Sequence, residues 1–501
     1  MSLGMNEISS ILEAGAKSAM NMEQIILNEI KDWYRSDTRD LMLTGQRYYV
    51  QDNDILRRVR TYIDENGKHV ELKNSSNNKL NHGFVRELVD QKVSYLLSKP
   101  FTVQTEIKEY QNELNYIFDK RFKRNLKTVG KEAINKGKAY LFPYYNEQGE
   151  LSFKKLPSEE IIPLWKDSAH TELDAFIRIY PVDTYEGTKR YIVTKVEYWD
   201  TQGVRRYVMG KVAYENYSTI QHSYNSLTPD VEAGEYDSHI KVMTAEGEKG
   251  LNWHRVPLIC FKYNEEELPL IKFVKSLVDD YDLHKSNNSN NVADFPDSIF
   301  AVRGYSGTNA AEFRQNVNAY RVIFTGGDGG VESINLNIDT EAFKTHMELN
   351  RKDIYANGRG VDTQSDEFSG NPSGQFLKSL YNRLDLDMND LESEMQASLE
   401  QLLWFVDQHI ANTKKKDYSK DEVDFIFNRD MIINESEIIT DITNSVGIVS
   451  EKTLRANHPY VKDEEEERKQ IEKERKEKEQ DPYSSLGQGE PEPESEEDEE
   501  E

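Results

Sequence analysis

The 501-residue chain has a single cysteine, Cys260, set in the apolar run Val256–Phe261. It reads as a small buried side chain; one thiol supports no disulfide framework, and a reducing compartment fits. No apolar run reaches the ~20 residues that a membrane helix needs. The N-terminus has no basic region followed by an apolar core, so no membrane span or secretory signal is expected; Met1 and Met5 are equally acceptable starts. Positive charge is scarce: 63 Lys and Arg stand against 90 Asp and Glu, a net charge of −27. Such a chain does not grip nucleic acid through counterion release, which needs clustered cations. If it meets DNA it should guide or repel it.

Catalytic motifs are missing too. Gly326–Gly330 lacks the Lys-Ser/Thr of a phosphate-binding loop and reads as a turn. The ten histidines show no pair at i,i+3 or i,i+4, so no zinc site is expected. Asp279, Asp280 and Asp282 splay around a helix as a solvated face. There is no Gly-x-Ser-x-Gly elbow. The expectation is a protein without catalytic activity, cofactor or bound metal. A carboxylate-metal enzyme acting on nucleic acid stays as an alternative, testable by Mg²⁺-dependent cleavage.

What the chain does have is a long helix. From Phe376 through Leu380, Leu384, Met388, Leu391, Met395, Leu399, Leu402 and Val406 to Ile410, apolar residues recur every three or four positions. Asn371 can cap it, Pro372 suits its first turn, and Lys414–Lys416 complement its C-terminal dipole. About 38 residues at roughly 1.5 Å each make a rod of about 57 Å. Asp385, Asp387, Asp390, Glu392, Glu394, Glu400 and Asp407 are read as its solvent faces.

Before the rod, helices are expected at Ile8–Trp33, Phe84–Leu97 and within Tyr110–Gly137. Asp64–Gly67 is a turn and Asn74–Asn81 a loop. A hairpin spans Ala139–Tyr145 and Glu150–Leu156, and strands follow at Leu173–Tyr180, Arg190–Trp199, Val204–Gly210 and Val256–Tyr263. Helix Glu265–Asn288 ends at a polar break, Asn287–Asn291. It leads into an α/β insert, with strands at Phe295–Gly304 and Tyr320–Phe324 around a short helix at Ala310–Asn318. Helix Thr340–Tyr355 returns from the insert. A polar, glycine-punctuated loop, Asn357–Ser369, then precedes the rod. Downstream come a strand at Asp424–Asn428, short helices at Ser436–Val446 and Ser450–Asn457, and a charged helix at Glu464–Glu479. Asp481–Glu501 holds ten acidic and no basic residues and is disordered by composition.

A helix pair carrying an insert at its far end buries little alone. It makes sense in copies that close a ring by head-to-tail contacts.

Several short stretches carry a resemblance: Gly45-x-x-Tyr48-Tyr49 with Asn53-Asp54-Ile55 and Arg60-Thr61-Tyr62; Val89-Asp90-Gln91-Lys92-x-x-Tyr95-Leu96; Val256-Pro257-Leu258-Ile259 with Lys262-x-Asn264-Glu265-Glu266; Asp279-x-Tyr281-Asp282; Gly327-Asp328-Gly329-Gly330-Val331; and Asn434–Ile438. In this order, over Gly45–Glu474, they resemble the portal proteins (head-to-tail connectors) of tailed double-stranded DNA bacteriophages, the class of siphoviruses infecting Gram-positive hosts. The resemblance implies an α+β, mainly helical subunit of a ring, twelve-fold in assembled heads, around a DNA channel. It divides the chain into a wing (1–264), a stem helix (265–290), a clip (291–339), a second stem helix (340–356), a tunnel loop (357–371), a long wing helix with return strand (372–428), a crown (429–480) and the acidic tail (481–501). It implies as partners further copies of the chain, duplex DNA passing without sequence preference, a separate terminase ATPase, connector or adaptor proteins, scaffold and major capsid protein, and no membrane. It implies residence in the virion after assembly in the host cytoplasm. Asn357, Arg359, Asp362, Gln364, Asp366 and Glu367 would face DNA, Arg359 and Gln364 brushing the backbone and the acids repelling it. Lys272, Lys275, Lys344 and Arg351 would belong to the stem. A tail or adaptor ring of another kind is the structural alternative.

Overall fold

A computed structural model of the chain describes residues 21–64, 66–72, 75–216, 226–244, 247–293, 298–305, 325–335, 340–364, 374–429, 435–456, 458–461 and 464–480. They fall into two units, 1–363 with 381–430 and 364–380 with 431–501.

The first unit opens with helices α1 (Met22–Tyr34) and α2 (Asp37–Tyr49). Asn21 and Ser36 cap them, each accepting from a backbone N–H in the first turn. A small hairpin, β1 (Thr61–Ile63) and β2 (His69–Glu71), turns through Gly67 at φ 76°. Helix α3 (Phe84–Leu97) has the expected bounds. Strand β3 (Thr102–Gln104) precedes α4 (Lys108–Ile117) and α5 (Lys120–Lys136). Of the helix expected at Ile8–Trp33, the part before residue 21 lies outside the described residues.

The β-rich middle has two layers. Strands β4 (Lys138–Tyr145) and β5 (Leu151–Leu156) form the expected hairpin. A larger antiparallel sheet holds β6 (Ile161–Trp165), β7 (Leu173–Glu186), β8 (Lys189–Trp199) and β9 (Val204–Ala213). Two-residue strands β10 (Thr228–Pro229) and β11 (Tyr236–Asp237) edge β9. Hairpin β12 (Ile240–Thr244) and β13 (Gly247–Leu251) stands apart, and β14 (Ile259–Lys262) joins β4. Successive side chains of a strand point to opposite faces. On β7, Ala175, Ile177 and Ile179 therefore meet Ile26, Ile30 and Trp33 of α1. Phe176, between them, joins Phe142, Trp199 and Leu258 on the other side. Both faces are buried, which fixes the register.

Helix α6 is Ile271–Ala293. It begins later than expected. Leu268 precedes a proline, which disfavours helix there, and Glu267 has φ 57°. It also runs straight through the asparagines read as a break. Ser286 and Asn290 are buried, and they hydrogen-bond Leu80 N–H (2.9 Å) and Asn78 N–H (2.6 Å) of the preceding loop. Tertiary bonds thus outweigh the weak helix propensity of Asn and Ser. Strands β15 (Ser298–Tyr305) and β16 (Thr325–Asn335) pair antiparallel. Gly326–Gly330, read as a turn, lies inside β16, with Gly330 opposite Arg303. The helix expected at Ala310–Asn318 and the strand at Tyr320–Phe324 lie outside the described residues. Helix α7 (Thr340–Asn357) packs back on α6.

The rod is α8, Gly374–Lys414, 41 residues. Leu384, Met388, Leu391, Met395, Leu399, Leu402, Val406 and Ile410 are all buried. Each contributes about 1.5–3 kcal/mol relative to an exposed side chain. Ser398 Oγ donates to Cys260 O at 2.8 Å, tying the rod to β14. Two residues read as solvent-facing are instead buried, Asp387 and Asp407, each 7% exposed. The rod is covered on more than its apolar stripe, and both carboxylates have partners. Strand β17 (Asp424–Ile426) returns to pair with β3.

Asp407 accepts from Tyr110 O–H at 2.5 Å, and Tyr110 stacks on Tyr418. Burial raises its pKa to about 6, with Asp417 and Asp421 adding to the rise. The folded chain therefore holds this proton more tightly than the unfolded chain does. Stability falls as pH rises from about 4 to about 6, and above that range the ionised form is a standing penalty. Asp407→Asn should raise unfolding free energy at pH 8 by about 1–3 kcal/mol and have no effect below pH 4. Denaturant titrations at the two pH values check this; a destabilised variant at pH 8 would contradict it.

In the second unit, α9 (Glu435–Asn444), α10 (Glu451–Ala456) and α11 (Glu464–Gln480) follow in order. Arg455 reaches Glu451 and Glu464, linking α10 to α11. Residues 481–501 lie outside the described residues. Among the described residues no helix is long and apolar enough to cross a membrane.

Candidate functional site

The α6–α7 pair and the segment leaving α7 hold the predicted site residues. Lys272 is exposed on the first turn of α6. Lys275, one turn on, is bound at 2.7 Å to Asp54 and 2.6 Å to Asp279. Asp279 in turn accepts from Tyr48 O–H. The motif residues Tyr48, Asp54 and Asp279 are thus one network joining α2, its following turn and α6. Burial alone would raise the Asp54 pKa, but the Lys275 ammonium and the Arg47 guanidinium, 2.8 Å away, lower it to about 2. Lys344 is exposed on α7, 3.7 Å from Glu348. An open cleft between α6 and α7 is lined by Tyr281, Lys285, Phe343, Lys344, Met347 and Arg351.

The start of the predicted loop is anchored. Asn357 closes α7, its amide donating to Asp353 O at 2.9 Å. A Cβ at Gly358 or Gly360 would lie 2.6 or 2.2 Å from Leu88, so glycine lets this strand of backbone press on α3. Gln91 clamps Val361 through both amide atoms, donating at 2.9 Å and accepting at 2.8 Å. Arg351 forks onto Asp362 at 2.6 and 2.7 Å, a bidentate pair. Arg359, in the left-handed region at φ 48°, reaches Asp387 at 3.3 Å and Asp390 at 3.7 Å with its side chain 54% exposed. Gln364 is exposed. Asp366 and Glu367 lie outside the described residues.

Below Arg359 sits a buried charge. Lys92 is fully buried and binds Asp387 at 2.5 Å and Arg359 O at 3.2 Å. Tyr263 donates to the same carboxylate at 2.7 Å. Desolvation lowers the Lys92 pKa while Asp387 opposes the change. Gln91 therefore ties the start of the loop to α3, and Lys92 links it to the rod. Their signal was their place in one short motif, Val89–Leu96.

A further group was not read from the sequence. Asp280, His284 and His346 converge between α6 and α7. His284 and His346 are separated by the whole insert, so a search for paired histidines passes over them. The i,i+4 spacing of Asp280 and His284 was the available half of the signal.

The described residues combine a long helix, a helix pair with a stranded insert, and a glycine-bearing segment pinned where the two meet. Residues 31–481 match the family described as "Phage portal protein, SPP1 Gp6-like", and the chain belongs to that family. It is similar to a protein named "Portal protein" of Bacillus phage SPP1, 29% identical over 92% of this chain and 88% of the relative. It is similar as well to a "Portal protein" of Clostridium phage phiCD119, 28% identical over 85% of this chain and 91% of that one. Among solved structures, a chain of the "Neck of native GTA particle computed with C12 symmetry" is similar at TM-score 0.37 and 11% identity, over 75% of this chain and 91% of that one. The family is a structural one, and its members are virion components.

Proposed function

We propose that the chain is one wedge of a ring at a single capsid vertex, through which duplex DNA is packaged and later ejected. The observation that carries this reading is the match to the portal family over residues 31–481. In this reading α6 and α7 are the stem and the residues between them the clip, where a terminase ATPase and connector proteins dock. The chain before α6 is mostly wing, and 429–480 is crown, facing the capsid interior with scaffold and major capsid protein nearby. Twelve copies complete the ring in the head.

The anchored start of the loop divides the tunnel role. Asn357, Gly358, Arg359, Gly360, Val361 and Asp362 set where the loop leaves the wall. Residues from Gln364 onward, with Asp366 and Glu367, are what passing DNA meets. Arg359 is held by two rod carboxylates yet stays half exposed, so it can touch a phosphate without making a tight site. A chain of net charge −27 supplies a wall that does not retain DNA.

Electron microscopy of the purified protein tests the reading. Rings with a central hole are expected; a monomer under every condition, scaffold included, would overturn it. Deleting residues 365–368 should leave the rings intact and reduce packaged DNA, because Asp362 and its Arg351 fork are spared. Unchanged packaging would remove the loop from the mechanism.

A further inference from the structure

Asp280 and His284 lie one turn apart on α6, and His346 and Asn350 one turn apart on α7. The two pairs face each other. His284 Nε2 is 3.4 Å from Asp280 Oδ1, and His346 Nε2 is 3.3 Å from Asp280 Oδ2. Charge-assisted hydrogen bonds would be shorter, about 2.7–2.9 Å. Donors sharing a tetrahedral zinc ion at ~2.0–2.1 Å sit about 3.3 Å apart. All three donor atoms lie within 4.8 Å of one another. The imidazole rings meet edge to face at 4.9 Å, which lets their nitrogens converge.

The surroundings suit a metal as well. Asn350 donates to Asp280 Oδ2 at 2.8 Å, the outer support that fixes a ligating carboxylate. Its own Oδ1 is buried and has no partner among the described residues, so it can accept from a metal-bound water. The side chains of Asp280, His284 and His346 are 41%, 41% and 49% exposed, which leaves a path for the ion and room for a water as fourth ligand.

We propose that Asp280, His284 and His346 bind one zinc-type divalent cation that staples α6 to α7. Two imidazoles and one carboxylate select Zn²⁺, Co²⁺ or Ni²⁺; Mg²⁺ and Ca²⁺ prefer all-oxygen ligands. The donors come from the two helices flanking the β15–β16 insert, so the ion fixes one helix against the other at the base of that insert. The site lies within a single chain and does not depend on ring assembly.

Titrating the chelator-stripped, full-length protein with Co²⁺ tests this by visible absorption. Expected are the intense bands of four-coordinate Co²⁺, saturating at one ion per chain, displaced by Zn²⁺ and untouched by millimolar Mg²⁺. His284→Asn with His346→Asn should abolish the bands. Asn350→Ala should weaken binding about 10–100-fold. Circular dichroism shows whether each variant is folded. In the parent protein, absence of the bands, or bands that persist in a folded double-histidine variant, would overturn the site. Pale six-coordinate Co²⁺ alone, unaffected by the substitutions, would also overturn it and mean binding by surface acids.

Discussion

Replacing Lys92 with methionine should remove about 3–5 kcal/mol of unfolding free energy, the usual cost of stranding one member of a buried ion pair. Methionine keeps the length and the apolar stem, so packing against the rod is largely preserved. What is lost is the cation 2.5 Å from Asp387. The buried carboxylate keeps Tyr263 O–H at 2.7 Å, and Arg359 at 3.3 Å only partly replaces the ammonium. The hydrogen bond to Arg359 O also goes, so the segment 358–362 should exchange its amides faster than in the parent. Denaturant unfolding of unassembled protein gives the energy and hydrogen exchange the location. A Lys92→Met, Asp387→Asn double variant should recover most of the loss, because no charge is then stranded and the amide oxygen still accepts from Tyr263 O–H. A single variant as stable as the parent would mean that the pair does not anchor the loop.

That pair also marks the limit of what sequence periodicity reveals. The rod was legible because three- and four-residue spacing over so many turns fits only a helix with one apolar face. The same pattern put Asp387 and Asp407 outside, since an acid off the stripe looks solvated. Only the chain packed over the rod shows that Lys92 and Tyr110 wait for them. Helix α3 and the β4–β5 hairpin were read nearly to the residue, their signals being local. The start of α6 was misplaced because Glu265 and Glu266 favour helix, whereas Pro269 and the Glu267 conformation delay it. Its end was misplaced because the partners of Ser286 and Asn290 lie two hundred residues earlier. The glycines of β16 show the reverse case: a turn-prone run taken up by a partner strand. For the site, the sequence marked the loop by position and named Arg359 and Asp362, but not the side chains that hold them. Asp387 and Arg351 are distant enough in sequence that no spacing rule joins them. Nor did any rule join His284 to His346.

Gly137 offers the second large effect, about 2–5 kcal/mol for Gly137→Ala. It ends α5 at φ 85°, where a side chain costs about 1–2 kcal/mol by itself. A Cβ there would also lie 2.2 Å from the Glu267 carbonyl oxygen and 3.0 Å from Pro269 N. These are backbone atoms and cannot swing aside, so the overlap adds roughly 1–3 kcal/mol of overpacking strain. Hydrogen bonds on either side hold the crossing closed: Tyr263 N–H to Gly137 O at 2.9 Å, and Leu270 N–H to Ile134 O at 3.0 Å. Relieving the overlap means moving the segment that leads into α6, so the damage should reach the helix pair. Gly149→Ala is the control. Its φ of 77° carries the same conformational strain, but nothing lies within 4 Å of the added carbon. That variant should lose only about 1–2 kcal/mol. Equal losses in the two variants would show that the crossing of α5 and the 267–269 turn has slack, and the tight coupling of α5 to α6 would have to be abandoned.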